Sequence, residues 1–216
     1  MKSNQKLYSI IRPLFCVTGE RVTRNTEDIQ KQIVVNNGST DRKTLFMATD
    51  GRSMATVMIR EPYSLFYAAH AFDVDTDAAT RPLAIPLESL PRIKAGEHTD
   101  FVHFGQEKVG RQMREMALGE DSEILPPGPT RYLTKDIKKE FSQIKHYDRW
   151  GDLEVVSPPW VKGGHHFMTK RIKQGLSMMK GTITHIYITR RHRLFMSSWY
   201  KGRQYQYIVV PIVPKK

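Results

Sequence analysis

Cysteine and long apolar runs are nearly absent from this sequence. The single cysteine, Cys16, excludes an intrachain disulfide and any metal site built on paired cysteines. No apolar stretch reaches the roughly 20 residues that a membrane-spanning helix needs, and the apolar segment near the start is too short for a secretory signal. We therefore expect a soluble protein with no membrane partner, in a reducing compartment such as the cytoplasm.

Acidic residues are also scarce relative to basic ones. The chain has 34 Lys and Arg residues against 22 Asp and Glu residues, which leaves a formal net charge of +12. Such a surplus favours a polyanionic partner, nucleic acid first, because each base near a phosphate releases condensed counterions. The alternative is a basic protein with no such partner.

Four segments have the apolar spacing of amphipathic helices. They cover about residues 4–16, a short stretch opened by Pro86, and about residues 133–146 and 167–179. Each segment carries basic residues away from its apolar stripe, whereas acids concentrate in two predicted loops, 73–77 and 119–123. Basic faces on four helices point to one shared anionic partner.

Most other segments have the composition of strands. Asp50-Gly51, between apolar residues 45–48 and 54–59, predicts a tight hairpin because glycine tolerates positive φ and aspartate nearly does. Similar patterns predict hairpins from 101–104 with 111–118 and from 184–188 with 194–199, and a last β-rich run covers 204–213.

The order of these elements predicts an α+β fold in two units. The predicted elements follow the order helix, hairpin, strand after Pro86 and again after His166. A segment rich in acids and prolines separates the two occurrences, so we expect domains at 1–118 and 132–216 joined by a linker at 119–131. A single basic α+β domain is the alternative.

Four short motifs follow one another along the chain: RPLFCVTG at 12–19, ATDGRSMA at 48–55, LAIP at 83–86 and YIVVPI at 207–212. In this order and spacing they resemble bacterial DNA sliding clamps, the beta subunit of the replicative DNA polymerase. The resemblance covers the middle and last domains of a clamp subunit. Residues 119–165 match poorly, and we expect no counterpart of the family's first domain.

The resemblance implies a fold and a non-enzymatic function. The fold would be two processivity-fold domains, each with helices on one face of antiparallel sheets. The function would be that of a polymerase processivity factor, a ring that encircles double-stranded DNA without sequence preference, needs no cofactor, and binds DNA polymerase and a clamp loader. A two-domain chain with bacterial motifs looks like a phage-encoded clamp, a homotrimer that acts at the replication fork in a bacterial host.

The resemblance also implies two sets of site residues. Apolar partner peptides would bind a pocket lined by Thr49, Gly51, Arg52, Met54, Pro86, Ile208, Val210, Pro211 and Ile212. Duplex DNA would be attracted by basic residues on the helices, namely Lys135, Lys138, Lys139, Lys170, Arg171, Lys173, Lys6 and Arg92.

Three other functions remain open at this stage. A metal enzyme is disfavoured, because the adjacent His165 and His166 have no carboxylate or cysteine at a metal-ligand spacing and no catalytic constellation is recognisable. A monomeric nucleic-acid-binding module could stack bases on the aromatic residues of the segment 199–203, WYKGR. A clamp-like decoy would keep the pocket without closing a ring. The mass in solution separates the ring from these alternatives, because a trimer supports the ring and a monomer supports either the decoy or the nucleic-acid-binding module.

Overall fold

The computed structural model describes residues 3–18, 28–38, 43–60, 83–97, 101–118, 129–161 and 164–213. Its α-helices are α1 (Ser3–Ile11), α2 (Phe15–Thr18), α3 (Leu90–Ala95), α4 (Glu107–Leu118), α5 (Thr134–Ser142) and α6 (Thr169–Met178). Short 3-10 helices occupy Arg12–Leu14, Asp28–Lys31 and Leu87–Ser89.

The strands are β1 (Gln32–Gly38), β2 (Lys43–Thr49), β3 (Ser53–Ile59), β4 (Leu83–Pro86), β5 (Val102–His103), β6 (Thr130–Leu133), β7 (Asp148–Trp150), β8 (Leu153–Val156), β9 (Phe167–Met168), β10 (Ile183–Ile188), β11 (Leu194–Tyr200) and β12 (Arg203–Val209). Nine of them form one sheet in the order β5-β4-β1-β2-β3-β12-β11-β10-β6, and β7, β8 and β9 form a small second sheet.

The ladder between β3 and β12 joins the two halves of the chain. It pairs seven residues antiparallel, from Arg203 opposite Ile59 to Val209 opposite Ser53. Every residue of β3 is buried, because layers of structure cover both faces of the sheet at its centre. The small sheet lies near the segment that follows β12, since an isolated bridge pairs His166 with Ile212.

Helices cover both faces of the large sheet. On one face, α1, α3, α5 and α6 bury side chains such as Leu7, Ile93, Ile137 and Ile172 in the main core. On the other face, α4 buries Met113 and Ala117 in a second core, together with the strand residues Val34, Met47, Met54, Phe195 and Ile208. The alternation of side chains along each strand divides the two cores.

Gly175 brings α6 close to the sheet. A β-carbon at this position would lie 2.3 Å from Met196 Cε and 2.5 Å from Tyr207 Cδ1. The tyrosine ring is fully buried and cannot move aside. Glycine is therefore required for the helix to pack on β11 and β12 at this distance.

Most of the predicted elements are confirmed. The structure contains helices at the four predicted places, and it contains the β2–β3 and β10–β11 hairpins. The first predicted helix is interrupted by the 3-10 helix Arg12–Leu14, where a proline lies, and the third is shorter than predicted. The LAIP motif is a strand-to-helix junction, where β4 leads into a 3-10 helix and α3. The predicted last run ends earlier than expected, because β12 stops at Val209.

One predicted hairpin is wrong. Residues 111–118, predicted as a strand, belong to α4, and only Val102–His103 of the partner segment form a strand. Val109, Met113 and Met116 are spaced at i, i+4 and i+7, which is a helical stripe, and Gly110 in its midst obscured that pattern. Among the described residues, the predicted order helix, hairpin, strand is therefore absent after Pro86, whereas α6, the β10–β11 hairpin and β12 follow that order after His166.

Parts of the domain prediction lie outside the described residues. These parts are residues 119–128 of the expected linker and the predicted loops at 73–77 and 119–123. Thr130 and Arg131, the end of that linker, belong to β6. The division into two domains stays a prediction.

In the part of the chain that the structure describes, no helix is long and apolar enough to cross a membrane.

Candidate functional site

The turn between β2 and β3 is held by the Asp50 side chain. Asp50 Oδ1 accepts hydrogen bonds from the backbone N–H groups of Arg52 (3.0 Å) and Ser53 (2.8 Å) and from Ser53 Oγ (3.0 Å). Gly51 has a φ of +81°, in the left-handed region that favours glycine. Thr49 Oγ1 donates to the Ser53 carbonyl oxygen (2.8 Å). The turn is thus fixed from within, and the exposed Arg52 side chain projects from it.

An ion pair ties this turn to α6. Arg171 Nη1 contacts Asp50 Oδ2, and the two side chains are only 17% and 12% exposed. Arg171 also donates to Gln174 Oε1 (3.2 Å), which accepts a second hydrogen bond from the Tyr207 hydroxyl (3.3 Å). Burial raises the pKa of Tyr207, so its hydroxyl keeps its proton. This network connects the first half of the chain to α6 and β12 behind the turn.

A cavity of about 760 Å³ opens on one side of Arg52. Its walls come from the turn, the β7–β8 hairpin, the start of α6 and the segment after β12: Arg52, Trp150, Gly151, Leu153, Met168, Arg171, Val210, Pro211, Ile212 and Val213. Two backbone hydrogen bonds hold that last segment in place, from Val210 N to the Arg52 carbonyl oxygen (3.0 Å) and from Ile212 N to the His166 carbonyl oxygen (2.8 Å).

A second cavity, of about 320 Å³, opens on the other side of Arg52. One wall is α4, and the other is the turn with the end of β12: Ile29, Thr49, Gly51, Arg52, Ser53, Met54, Gln106, Val109, Gln112, Met113, Met116, Arg193, Ile208 and Val210. Arg52 and Val210 line both cavities and so form the ridge between them. The lining is mostly apolar, and its methionines are adaptable side chains.

The structure brings together eight of the nine predicted pocket residues, from β2, β3 and the end of β12. The exception is Pro86, which ends β4, pairs with Gln32 and lines neither cavity. Sequence reasoning missed the walls formed by Trp150, Leu153 and α4. The wall formed by α4 could have been predicted from the helical spacing of Val109, Met113 and Met116. The walls formed by β7 and β8 could not, because these strands are too short for a periodic pattern.

Five of the eight predicted DNA-contacting residues are exposed on helices of one face of the sheet: Lys6, Lys135, Lys139, Lys170 and Lys173. The Lys173 ammonium lies 5.2 Å from the centre of the Tyr147 ring. The structure therefore places these bases on the side of the molecule that carries α1, α5 and α6.

The other three predicted residues are Arg171, Arg92 and Lys138. Arg171 belongs to the ion pair behind the turn, and Arg92 Nε lies 3.4 Å from Glu97 Oε2 at the surface. Lys138 Nζ donates to the Met179 carbonyl oxygen (2.8 Å). Partial burial, and secondarily the nearby Lys180, lowers the pKa of Lys138.

Histidines cluster beside the larger cavity. The ring centres of His165 and His192 are 4.8 Å apart. The His166 ring lies 4.6 Å from the Trp150 ring, tilted by 38°, and its Nε2 lies 3.5 Å from Asp148 Oδ2. Burial lowers the pKa of His165, and the two neighbouring histidines add to this effect. Among the residues described, no group of three His, Cys, Asp or Glu side chains is placed to hold a metal ion.

The fold resembles that of bacterial sliding clamps. The structure superimposes on the Helicobacter pylori beta clamp with a TM-score of 0.60 at 8% identity, over 97% of this chain and 64% of that one. The Bacillus subtilis sliding clamp gives a TM-score of 0.57 at 12% identity, over 97% and 63% of the two chains. The DNA polymerase III beta subunit of Pseudomonas aeruginosa gives 0.56 at 10% identity, over 98% and 65%.

The match is one of structure alone. No family model and no curated protein matches the sequence. The chain spans somewhat less than two thirds of the length of the clamp subunits that it resembles. The resemblance inferred from the four motifs is confirmed at the level of the fold, which extends over nearly all of the chain: this is an α+β protein with the architecture of a DNA sliding clamp.

Proposed function

We propose that this protein is a sliding clamp, a ring without enzymatic activity that encircles duplex DNA and tethers DNA polymerase and a clamp loader. The observation that carries the proposal is the pair of apolar cavities that meet at Arg52 and Val210. The turn motif and the terminal motif, more than 150 residues apart in sequence, combine to form this ridge within a clamp fold. We propose the cavities as the site at which partner peptides bind.

The shape of the site suits a short extended peptide. The two cavities have volumes comparable to those of ligand sites. The larger one has few polar groups among apolar walls, and the smaller one adds polar side chains such as Gln106, Gln112 and Arg193 to its apolar lining. A peptide lying across the ridge would place one apolar side chain on each side of Val210. Arg52, which is exposed at the ridge, would contact polar groups of the peptide backbone or its acidic residues.

The ends of the large sheet suit closure of a ring. Within the described residues, β5 and β6 each have a neighbouring strand on one side only. Exposed apolar residues lie at both ends, with Val102 40% exposed on β5 and Leu133 43% exposed on β6. Pairing β5 of one copy with β6 of the next would extend the sheet head to tail, and a head-to-tail contact closes when the rotation fits.

We propose that the ring contains three copies. The chain matches somewhat less than two thirds of a clamp subunit, so three copies supply about the length of two such subunits. In solution at micromolar concentration, light scattering should give about three times the 25.0 kDa of one chain. Leu133→Asp should lower that mass, because it places a charge on the exposed edge strand. A wild-type mass of 25.0 kDa alone would contradict the ring and favour a decoy or a monomeric nucleic-acid-binding protein.

The helix lysines provide a second test. Lys135→Ala with Lys139→Ala should weaken retention on duplex DNA equally for all sequences, because both side chains are exposed on α5. The slope of log affinity against log salt should fall by roughly 0.9 for each phosphate that the variant no longer neutralises. The matched control, Lys108→Ala with Arg111→Ala, removes the same charge from α4 on the opposite face. Equal effects of the two pairs would mean that only net charge matters.

A further inference from the structure

The β11–β12 hairpin turns at the end of the sheet opposite to the two cavities. Arg203 at the start of β12 pairs with Ile59, whereas Val209 at its end pairs with Ser53 beside the cavities. Seven strand residues therefore separate the two ends, a distance of about 20 Å. Lys201 and Gly202 both have positive φ, +49° and +74°, which gives the hairpin a tight two-residue turn.

Two large aromatic side chains are exposed at this turn, each with a cation beside it. Trp199 is 41% exposed, and the Arg60 guanidinium lies 5.1 Å from the centre of its ring. Tyr200 is 42% exposed, and the Lys201 ammonium lies 5.3 Å from its ring. Successive strand residues point to opposite faces, so Tyr200 lies on the face of the sheet that carries α6, and Trp199 lies on the other.

A basic surface connects this hairpin turn to the helices. Lys138 on α5 donates to the Met179 carbonyl oxygen at the end of α6, and the next residue, Lys180, is exposed. The backbone N–H of Lys180 donates to Ser198 Oγ on β11 (3.0 Å). Gly181 packs so tightly here that a β-carbon would lie 2.2 Å from the Trp199 carbonyl oxygen. The lysines of α5 and the end of α6 thus lead directly to Tyr200.

Hydrogen bonds to α1 fix the position of the β11–β12 hairpin. Arg203 donates to the Ser9 carbonyl oxygen (3.2 Å) and to Ser9 Oγ (3.3 Å) on α1. The aromatic rings are therefore presented on a strand that is anchored to the helix layer, and binding would not require the hairpin to order itself.

We propose that this surface, consisting of Arg60, Lys180, Trp199, Tyr200 and Lys201, binds single-stranded nucleic acid. Aromatic faces stack on bases, and cations beside them contact the phosphates. Duplex DNA keeps its bases stacked on one another and cannot use exposed rings in this way. A strand that runs from the helix lysines over the end of the sheet would meet Tyr200 first and Trp199 second. The site does not depend on ring closure, because a short oligonucleotide would bind a single copy.

The test measures the affinity of the full chain for a fluorescently labelled 12-nucleotide oligothymidylate at low salt. Trp199→Ala and Tyr200→Ala should each raise the Kd about tenfold, and Trp199→Phe should retain most of the affinity. Trp150→Ala, which removes an indole beside the larger cavity, is the control and should leave the Kd unchanged. The thermal midpoint of each variant checks that it remains folded.

An abasic oligonucleotide of the same length isolates base stacking from charge. The abasic oligonucleotide should bind the wild type more weakly than oligothymidylate does. The Trp199→Ala variant should bind the abasic oligonucleotide with the same affinity as the wild type. An equal loss with and without bases would overturn the proposal, as would unchanged binding of oligothymidylate by both alanine variants. Poly-glutamate tests the acidic-protein alternative: if its binding depended on Trp199 as strongly as that of oligothymidylate, the surface would be one for acidic chains.

Discussion

Arg171→Met should lower the free energy of unfolding by about 3 kcal/mol, because it leaves the Asp50 carboxylate buried without its partner. Both side chains are less than one fifth exposed, so solvent screens the pair little. Methionine keeps the aliphatic length of arginine, so the loss of stability comes from the missing charge and not from a cavity. Chemical denaturation of the wild type and the variant measures this difference in the free energy of unfolding.

The same site offers an internal control. Asp50→Asn in the Arg171→Met background should restore much of the lost stability, because an uncharged amide oxygen still accepts the hydrogen bonds of Arg52 and Ser53. If Arg171→Met were as stable as the wild type, or if Asp50→Asn lowered stability further in that background, the ion pair would not be what stabilises the contact between the turn and α6.

Val210→Lys should weaken the binding of a partner peptide by on the order of 100-fold, or about 3 kcal/mol. Val210 is 44% exposed and lines both cavities, so the substitution removes apolar contacts from both and adds a charge next to Arg52. The probe is a synthetic peptide with a glutamine and a Leu-Phe pair, for which we expect a Kd near 1 μM, or about −8 kcal/mol. Calorimetric titration measures both affinities.

Trp199→Lys is the matched control for this experiment. Trp199 has a similar exposure, 41%, but lies at the opposite end of the sheet. Its replacement should leave the peptide affinity unchanged. The proposed site would be wrong if the wild type did not bind the peptide, or if the two lysine variants bound it equally well.

The sequence was most informative where local chemistry determines structure. The Asp50-Gly51 pair predicts the β2–β3 hairpin because its φ requirement and its side-chain hydrogen bonds are local. Apolar spacing predicts the helices α1, α3, α5 and α6 for the same reason. The terminal motif placed Val210 and Ile212 at the site because the resemblance carried long-range information that a single sequence lacks.

The sequence was least informative where distant segments decide a residue's environment. Arg171 has the helical position of a surface base, and only the approach of the β2–β3 turn makes it an ion-pair partner. Pro86 ends a strand that is separated from β12 by three other strands of the sheet, which local pattern cannot reveal. Trp150 and Leu153 reach the larger cavity from strands of three and four residues, too short for periodicity.

The unequal lengths of the ladders in the large sheet determine where it would yield under load. Backbone hydrogen bonds run across the strands, so a pull along the order of the strands stretches every ladder in series. Seven residue pairs join β3 to β12, four join β10 to β6, and two join β4 to β5. The joint between the two halves of the chain is therefore as strong as any ladder of the sheet, equalled by the seven pairs between β11 and β12. The outermost strand β5 is held by the shortest of these ladders, so it would detach before the two halves separate.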